Sequence, residues 1–337
     1  MSKKSFRAAL NEAMRQEMER DPSVIVMGED IAGGMGAKGA QDAWGDVLGA
    51  SKGLLGEFGR DRVFDTPISE SAFIGAAAGA AVAGLRPVVQ LMFVDFVGVC
   101  GDQIINQIAK FRYMFGGNAT TPVVIRTLFG AGTRAASQHS QCLYPIFTHI
   151  PGLKVVIPSS PYEAKGLMIQ AIRDDDPVIF LEHKAMYDDT EEVPDEPYAI
   201  PFGEAKLVRT GGSATIVAMG RMVRHSIQAA DALEKDDIQC DVIDLRTTSP
   251  MDTKSILLSV SKTGRLVIVD EASPRCNIAT DISALIAQAA FASLKAPIKM
   301  VSPPHTPVPF APGLEDAYIP SPSRIQAAVM DIVKYRK

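Results

Sequence analysis

Short runs of valine and isoleucine alternate with stretches whose apolar residues recur every three or four positions, and this predicts strands separated by helices. In the first half the runs are SVIVMG, RPVVQLMFVDF, TPVVIRT, LKVVIPS and DPVIFLEHK. Several are apolar at consecutive positions, as strands buried on both sheet faces are. Helices are expected from about 69 to 84, 98 to 115 and 162 to 173, after an opening amphipathic helix that starts near Ser5. The second half continues the pattern with SATIVAMG, IQCDVIDLRT, RLVIVDEA and IKMVSP. Its helices are expected over about 222–235, 252–261 and 278–293, with a last one from Pro322. The fold class that follows is α/β, with helices covering mostly parallel sheets.

Three stretches break the pattern. DDTEEVPDEPYAIPF, residues 188–202, is acidic and proline-bearing, and reads as a linker between domains at 1–187 and 203–337. A chain of 337 residues is long enough for two such domains. SPPHTPVPFAPG is expected to wrap the surface in extended or turn geometry. Between Asp30 and Leu55 lies a glycine-rich segment that carries Trp44, the only tryptophan. A loop so long is usually functional or mobile; a binding or interface role is expected, with simple mobility as the alternative.

Composition narrows the partners. The net charge of −5 argues against nucleic acid and against an anionic membrane surface. No stretch reaches the ~20 apolar residues of a membrane span, and the N-terminus lacks the apolar core of a signal peptide. Cys100, Cys142, Cys240 and Cys276 show no metal-clip or redox spacing, so a reducing compartment, the cytoplasm, is expected.

Candidate chemistry is sparse. Gly75, Gly79 and Gly84 do not form a dinucleotide fingerprint, because they lie inside an expected helix and not in a strand-to-helix turn. They suit a tightly packed buried helix, and a subunit interface would suit it too. Glu70 opens that helix. It is either a first-turn acid favoured by the helix dipole or a proton-transfer group whose apolar surroundings raise its pKa. His139, in a small polar stretch after TPVVIRT, occupies the kind of loop where α/β proteins place chemistry; a structural histidine is the alternative. His149, His183, His225 and His305 receive no role, and no G-x-S-x-G elbow supports a hydrolase.

DTPISE, LMFVDF, DQIINQIAKFRYMFGG, the QHSQ around His139, HIPGLKVVIPSSPYEAKGL and AIRDDDPVIFLEHK occur in that order. Together they resemble the beta subunits of thiamin-diphosphate-dependent 2-oxo acid dehydrogenases, over nearly the whole chain. The resemblance implies a thiamin-diphosphate-binding fold, with a pyrimidine-binding domain followed by a transketolase C-terminal-like α/β domain. It implies assembly with an alpha subunit as an α2β2 heterotetramer. It also implies that Glu70 hydrogen-bonds the aminopyrimidine ring of the cofactor and that Ile68, Met92 and Phe96 line its pocket, Phe96 by stacking. His139 would handle protons on the substrate and assist transfer to a lipoyl group. Ala171, Asp174 and Asp176 fall where some relatives hold a structural potassium ion. Such enzymes bind magnesium pyrophosphate through a GDG and a later asparagine. This chain has Gly45-Asp46 and Gly101-Asp102 but no GDG, so the alpha subunit would supply the magnesium half and the chain alone would be inactive.

Within the family, the long glycine-rich segment and FRYMFGG are most similar to acetoin dehydrogenase beta subunits. Pyruvate and then branched-chain 2-oxo acid dehydrogenases are the alternatives. Pyruvate enzymes often carry glutamine near Val99, whereas Val99-Cys100 is apolar, which suits a substrate without a carboxylate. The implied reaction cleaves acetoin to acetaldehyde and a hydroxyethyl group on the cofactor. That group is oxidised and passed as acetyl to lipoamide on an acyltransferase partner. A nicotinamide oxidoreductase is disfavoured by the missing fingerprint, and a non-catalytic scaffold subunit would tolerate loss of Glu70 and His139.

Overall fold

Helix α1 (Phe6–Arg20) begins where the sequence places it, with the Ser5 hydroxyl accepting the Ala8 N–H at 3.1 Å as an N-cap should. The computed structural model describes residues 1–32 and 45–336. Trp44 and the glycines just before it, the centre of the expected binding or interface loop, lie outside the described residues. The chain forms two units, Met1–Phe129 with Ile146–Phe202, and Gly130–Pro145 with Gly203–Lys337.

In the first unit, strand β1 (Ser2–Ser5) precedes α1. Strands β2 (Val24–Gly28), β3 (Val63–Asp65), β4 (Arg86–Phe93), β5 (Val124–Phe129), β6 (Lys154–Val156) and β7 (Val178–His183) then run parallel, in the order β6-β7-β5-β4-β2-β3. Every residue of β2, β5 and β7 is buried, the physical reason their sequences do not alternate. On one face Phe6, Leu10, Met14 and Met18 of α1 share a core with Leu167, Met168 and Ile172 of the Pro161–Arg173 helix and with Val24, Val88, Val124 and Phe180 of the sheet. Each such side chain contributes about 1.5–3 kcal/mol on burial.

The Glu70–Val82 helix packs against β4 and buries Phe73, Ile74, Ala77, Ala78 and Ala81. A fully buried helix was the expectation, yet Ala72, Ala76 and Gly79 are exposed. Its apolar residues run all round, and the sheet covers one side only. The single helix expected over 98–115 is broken into Val97–Asp102, a π-helical turn at Gln103–Ile108 and Phe111–Met114. There the Ala109 N–H reaches back five residues to the Ile104 carbonyl, the bond that widens a π-turn.

Residues 188–202 carry more structure than their composition suggests. Strand β8 (Thr190–Val193) pairs antiparallel with β1, and the Ile200 N–H bonds the Gly166 carbonyl at 3.1 Å. Val193 and Ile200 are few apolar residues, but both are buried.

In the second unit, β9 (Lys206–Arg209), β10 (Ala214–Ala218), β11 (Cys240–Asp244), the three-residue β12 (Thr247–Ser249), β13 (Leu266–Val269) and β14 (Lys299–Val301) follow in sequence. Five of them form a sheet ordered β14-β13-β10-β11-β9, parallel except at the β9 edge. The Arg221–Glu234 and Pro322–Val333 helices meet over Val223, Leu233, Val329 and Ile332. The proline-dense stretch is extended and leads into a short helix, Pro312–Tyr318.

Candidate active site

At the carboxyl end of the first unit's sheet, β2 stops at Gly28, whose φ is +148° and whose added Cβ would lie 2.9 Å from the Gln90 carbonyl oxygen. Only glycine permits that approach. The chain then runs into Glu29 and Asp30. Burial pushes the Glu29 carboxyl up, helped by the negative charges of Asp30 and Glu70. From β3 the Thr66 N–H bonds the Gly28 carbonyl at 2.9 Å, and the turn through Pro67 leaves Ile68 77% exposed. Ser69 caps the next helix and Glu70 takes its first turn, half-buried, with no hydrogen bond or ion pair among the described residues. Strand β4 delivers half-buried Met92, and the 3-10 turn after it delivers Phe96, edge-on to Phe93 at 5.7 Å between centroids. Val99 is 62% exposed, whereas Cys100 is buried and its thiol is pushed up to about 12 by that burial. Ile68, Glu70, Met92 and Phe96 thus follow the ends of two strands of one sheet, where open parallel sheets bind ligands. A carboxylate without a partner among the described residues, on the same end of the sheet as apolar and aromatic side chains, fits a planar heterocycle with a polar edge.

His139 belongs to the second unit. It ends the short turn Ser137–His139 and is half-buried. The segment that carries it is tied down by side chains far along the chain. The Ala131 N–H donates to Glu271 at 2.7 Å, and the Gly132 and Arg134 N–H groups donate to the two oxygens of Glu315 at 2.7 and 3.2 Å. The Arg134 guanidinium adds bonds to Glu315 at 2.6 Å and Asp316 at 2.7 Å. The Ser137 hydroxyl donates to the Val308 carbonyl at 2.7 Å. Tyr144 donates to Asp270 at 2.5 Å and accepts from the Ile278 N–H at 2.9 Å. These carboxylates give residues 130–145 their place in the second unit.

Comparison with known proteins places these features in a family. Residues 2–190 match the transketolase pyrimidine-binding domain, and residues 203–325 match the transketolase C-terminal domain. Subunit beta of acetoin:2,6-dichlorophenolindophenol oxidoreductase from Cupriavidus necator is 64% identical, with 98% of each chain covered. Its counterpart in Bacillus subtilis is 53% identical over 98% of this chain and 97% of the other. The pyruvate dehydrogenase E1 component subunit beta of Rickettsia felis is 46% identical over 98% of each. The chain belongs to the beta subunits of thiamin-diphosphate-dependent dehydrogenases. A solved chain described as a split gene transketolase, inactive beta4 tetramer, has the same fold, with a TM-score of 0.79, 20% identity and 99% of each chain covered. As a beta subunit of this family the chain is one part of an oxidoreductase that also needs an alpha subunit, and thiamin diphosphate is the cofactor. No described helix is long and apolar enough to cross a membrane.

The potassium site that some beta subunits suggest fits poorly here. The Lys154 ammonium donates to both oxygens of Asp174 at 2.6 and 2.8 Å and lies 3.3 Å from Asp176. Arg112 pairs with Asp176 at 2.5 Å. The Asp174 carbonyl accepts from Arg86 at 2.6 Å and the Ala171 carbonyl from the Asp174 N–H at 3.3 Å. The Asp174 and Asp176 carboxylates are thus paired with Lys154 and Arg112, so positive charge already stands beside them.

Sequence reasoning missed half-buried Glu29 and the buried acids Asp270, Glu271 and Glu315. It also missed a buried network in the first unit. Arg126 donates to Glu182 through two nitrogens at 2.7 and 2.9 Å and approaches Asp46 at 3.4 Å, while Tyr187 donates to Glu182. Although burial disfavours its charge, Glu182 and Asp46 hold Arg126 protonated. One signal was available: Arg126 interrupts an apolar run and Glu182 closes another, and charges in such runs are buried only when paired.

Proposed function

We propose that this chain is the beta subunit of an acetoin dehydrogenase. It would cleave acetoin to acetaldehyde and an oxidisable two-carbon group that leaves as acetyl on lipoamide. The observation that carries this is full-length identity of 64% to an acetoin oxidoreductase subunit against 46% to a pyruvate dehydrogenase subunit. Exposed, apolar Val99 suits a substrate without a carboxylate. Bound thiamin diphosphate supplies a nucleophilic carbon that can break the bond between the two oxygen-bearing carbons of acetoin, chemistry no side chain provides. Glu70 would share a proton with the cofactor's aminopyrimidine, Ile68 and Met92 would line its pocket, and Phe96 would stack on its ring. His139 accepts the hydroxyl proton of acetoin as the central bond breaks.

In this reading, the domain of residues 1–187 binds the pyrimidine end, with its segment 130–145 packed into the second unit, 188–202 lead on from it, and 203–337 form the transketolase C-terminal-like domain. Magnesium is held mainly by the alpha partner, because this chain has no GDG. The assembly is an α2β2 heterotetramer that delivers acetyl to a lipoyl-bearing acyltransferase. Its subunit contacts would cover the open side of the Glu70–Val82 helix. Four free cysteines suit the cytoplasm.

The test is dye reduction by the chain combined with its alpha partner, thiamin diphosphate and magnesium, with acetoin, pyruvate and a branched 2-oxo acid compared at equal concentration. Preference for acetoin is expected. Preference for pyruvate would overturn the substrate assignment and leave the family intact.

A further inference from the structure

The backbone between Glu315 and His139 is held in an unusual way. Glu315 is fully buried, and its carboxylate receives two backbone N–H groups and the Arg134 guanidinium. Charge-assisted bonds of this kind are about twice as strong as neutral ones, and a buried donor left without its acceptor is costly. Glu315 is therefore a fixed point for Gly132 and Arg134. The chain then passes through two non-glycine residues of positive φ, Arg134 at +59° and Ala136 at +59°. With ψ at −169°, Ala136 occupies a region that is essentially glycine's own. Such conformations persist where neighbours over-determine them, and they gather at functional sites. Ser137, bonded to the Val308 carbonyl, fixes the other end of the strained turn, and His139 follows two residues later.

We propose that Glu315 is a positioning residue for His139: clamped by Arg134, its carboxylate holds the strained turn at 134–136 and so fixes where the imidazole stands. This rests on the proton-transfer role proposed for His139. The effect is indirect, because Glu315 bonds the segment's backbone and Arg134. Glu271 supports the same segment at Ala131. It lies one step further from the histidine, so Glu315 is the position to test.

The experiment uses the assembled enzyme, with alpha partner, thiamin diphosphate and magnesium, as wild type, Glu315→Gln, His139→Ala and the double variant. Glu315→Gln is expected to lower kcat on acetoin about tenfold to a hundredfold, the scale of a misplaced catalytic group. The KM for thiamin diphosphate should stay within about twofold, and the limb of the pH–kcat profile assigned to His139 should move. In the His139→Ala background, Glu315→Gln should cause no further loss. Arg134→Ala, at a half-exposed residue, should act in the same direction and carries the same comparison if Glu315→Gln does not assemble. Losses that multiply in the double variant would overturn the inference while leaving His139 in the mechanism. Normal turnover by His139→Ala alone would instead remove the role of His139, and this inference with it.

Discussion

Tyr144 joins two distant parts of the second unit through one oxygen, which donates to Asp270 and accepts from the Ile278 N–H. Removing that oxygen takes the Tyr144 partner from both groups, although Asp270 keeps the Ala272 N–H at 2.8 Å, so Tyr144→Phe is expected to cost about 1–3 kcal/mol. A lower urea midpoint with an unchanged slope would show it. Burial raises the Asp270 carboxyl from its ordinary 3.8 to about 6, against the pull of hydrogen bonds from Tyr144 and Ala272. Because the folded pKa lies above the unfolded one, the contribution of this group to stability is complete below the unfolded value. It is lost as pH rises through about 6. The difference in melting temperature between wild type and Asp270→Asn should therefore narrow from about pH 4 to pH 7; a widening difference would mean that Asp270 is held ionised. At the proposed cofactor site, Glu70→Gln should abolish turnover while assembly with the alpha partner survives. Unchanged turnover would take Glu70 out of the mechanism.

Between elements, close backbone approach sets the limits. Gly152 has φ +101°, and a Cβ there would sit 2.0 Å from the Ala109 carbonyl oxygen. Gly152→Ala thus forces the turn before β6 away from the end of the π-turn, at about 2–4 kcal/mol for clash and strain together. Gly59, at φ +75° with nothing within 4 Å of an added Cβ, is the control. With ψ at 174°, Gly59→Ala should cost only the backbone strain of that conformation, about 1–3 kcal/mol. Equal losses in thermal unfolding would show that contact with Ala109 is irrelevant. This scale also separates what could be read from the chain. The central strands were legible because burial on both faces leaves unbroken apolar runs. Strands β1, β8 and β9 were not, since short edge or paired strands such as SKKS, TEEV and KLVR carry no such run. The expected 98–115 helix had the right location and the wrong continuity, because a π-turn leaves little trace in apolar spacing.

For the whole molecule, the family places catalysis in an assembly with an alpha subunit. This chain supplied with thiamin diphosphate and magnesium but no alpha partner should show no acetoin-dependent dye reduction, and activity in that state would contradict a shared site. Lys154 and Arg112 already pair with Asp174 and Asp176, so replacing potassium by sodium should leave the melting temperature of the assembled enzyme unchanged. A shift of several degrees would instead indicate a bound cation. The sequence by itself determined the α/β alternation, the family and the proposed site residues, because periodicity and short motifs are properties of neighbouring positions. Only the tertiary structure decided that residues 130–145 pack with Asp270, Glu271 and Glu315, that Arg126 and Glu182 neutralise each other, and that Lys154 pairs with Asp174 and Asp176. Each of these is a contact between residues far apart in the chain. Periodicity says which side of a strand or helix is buried, but not which distant charge waits there.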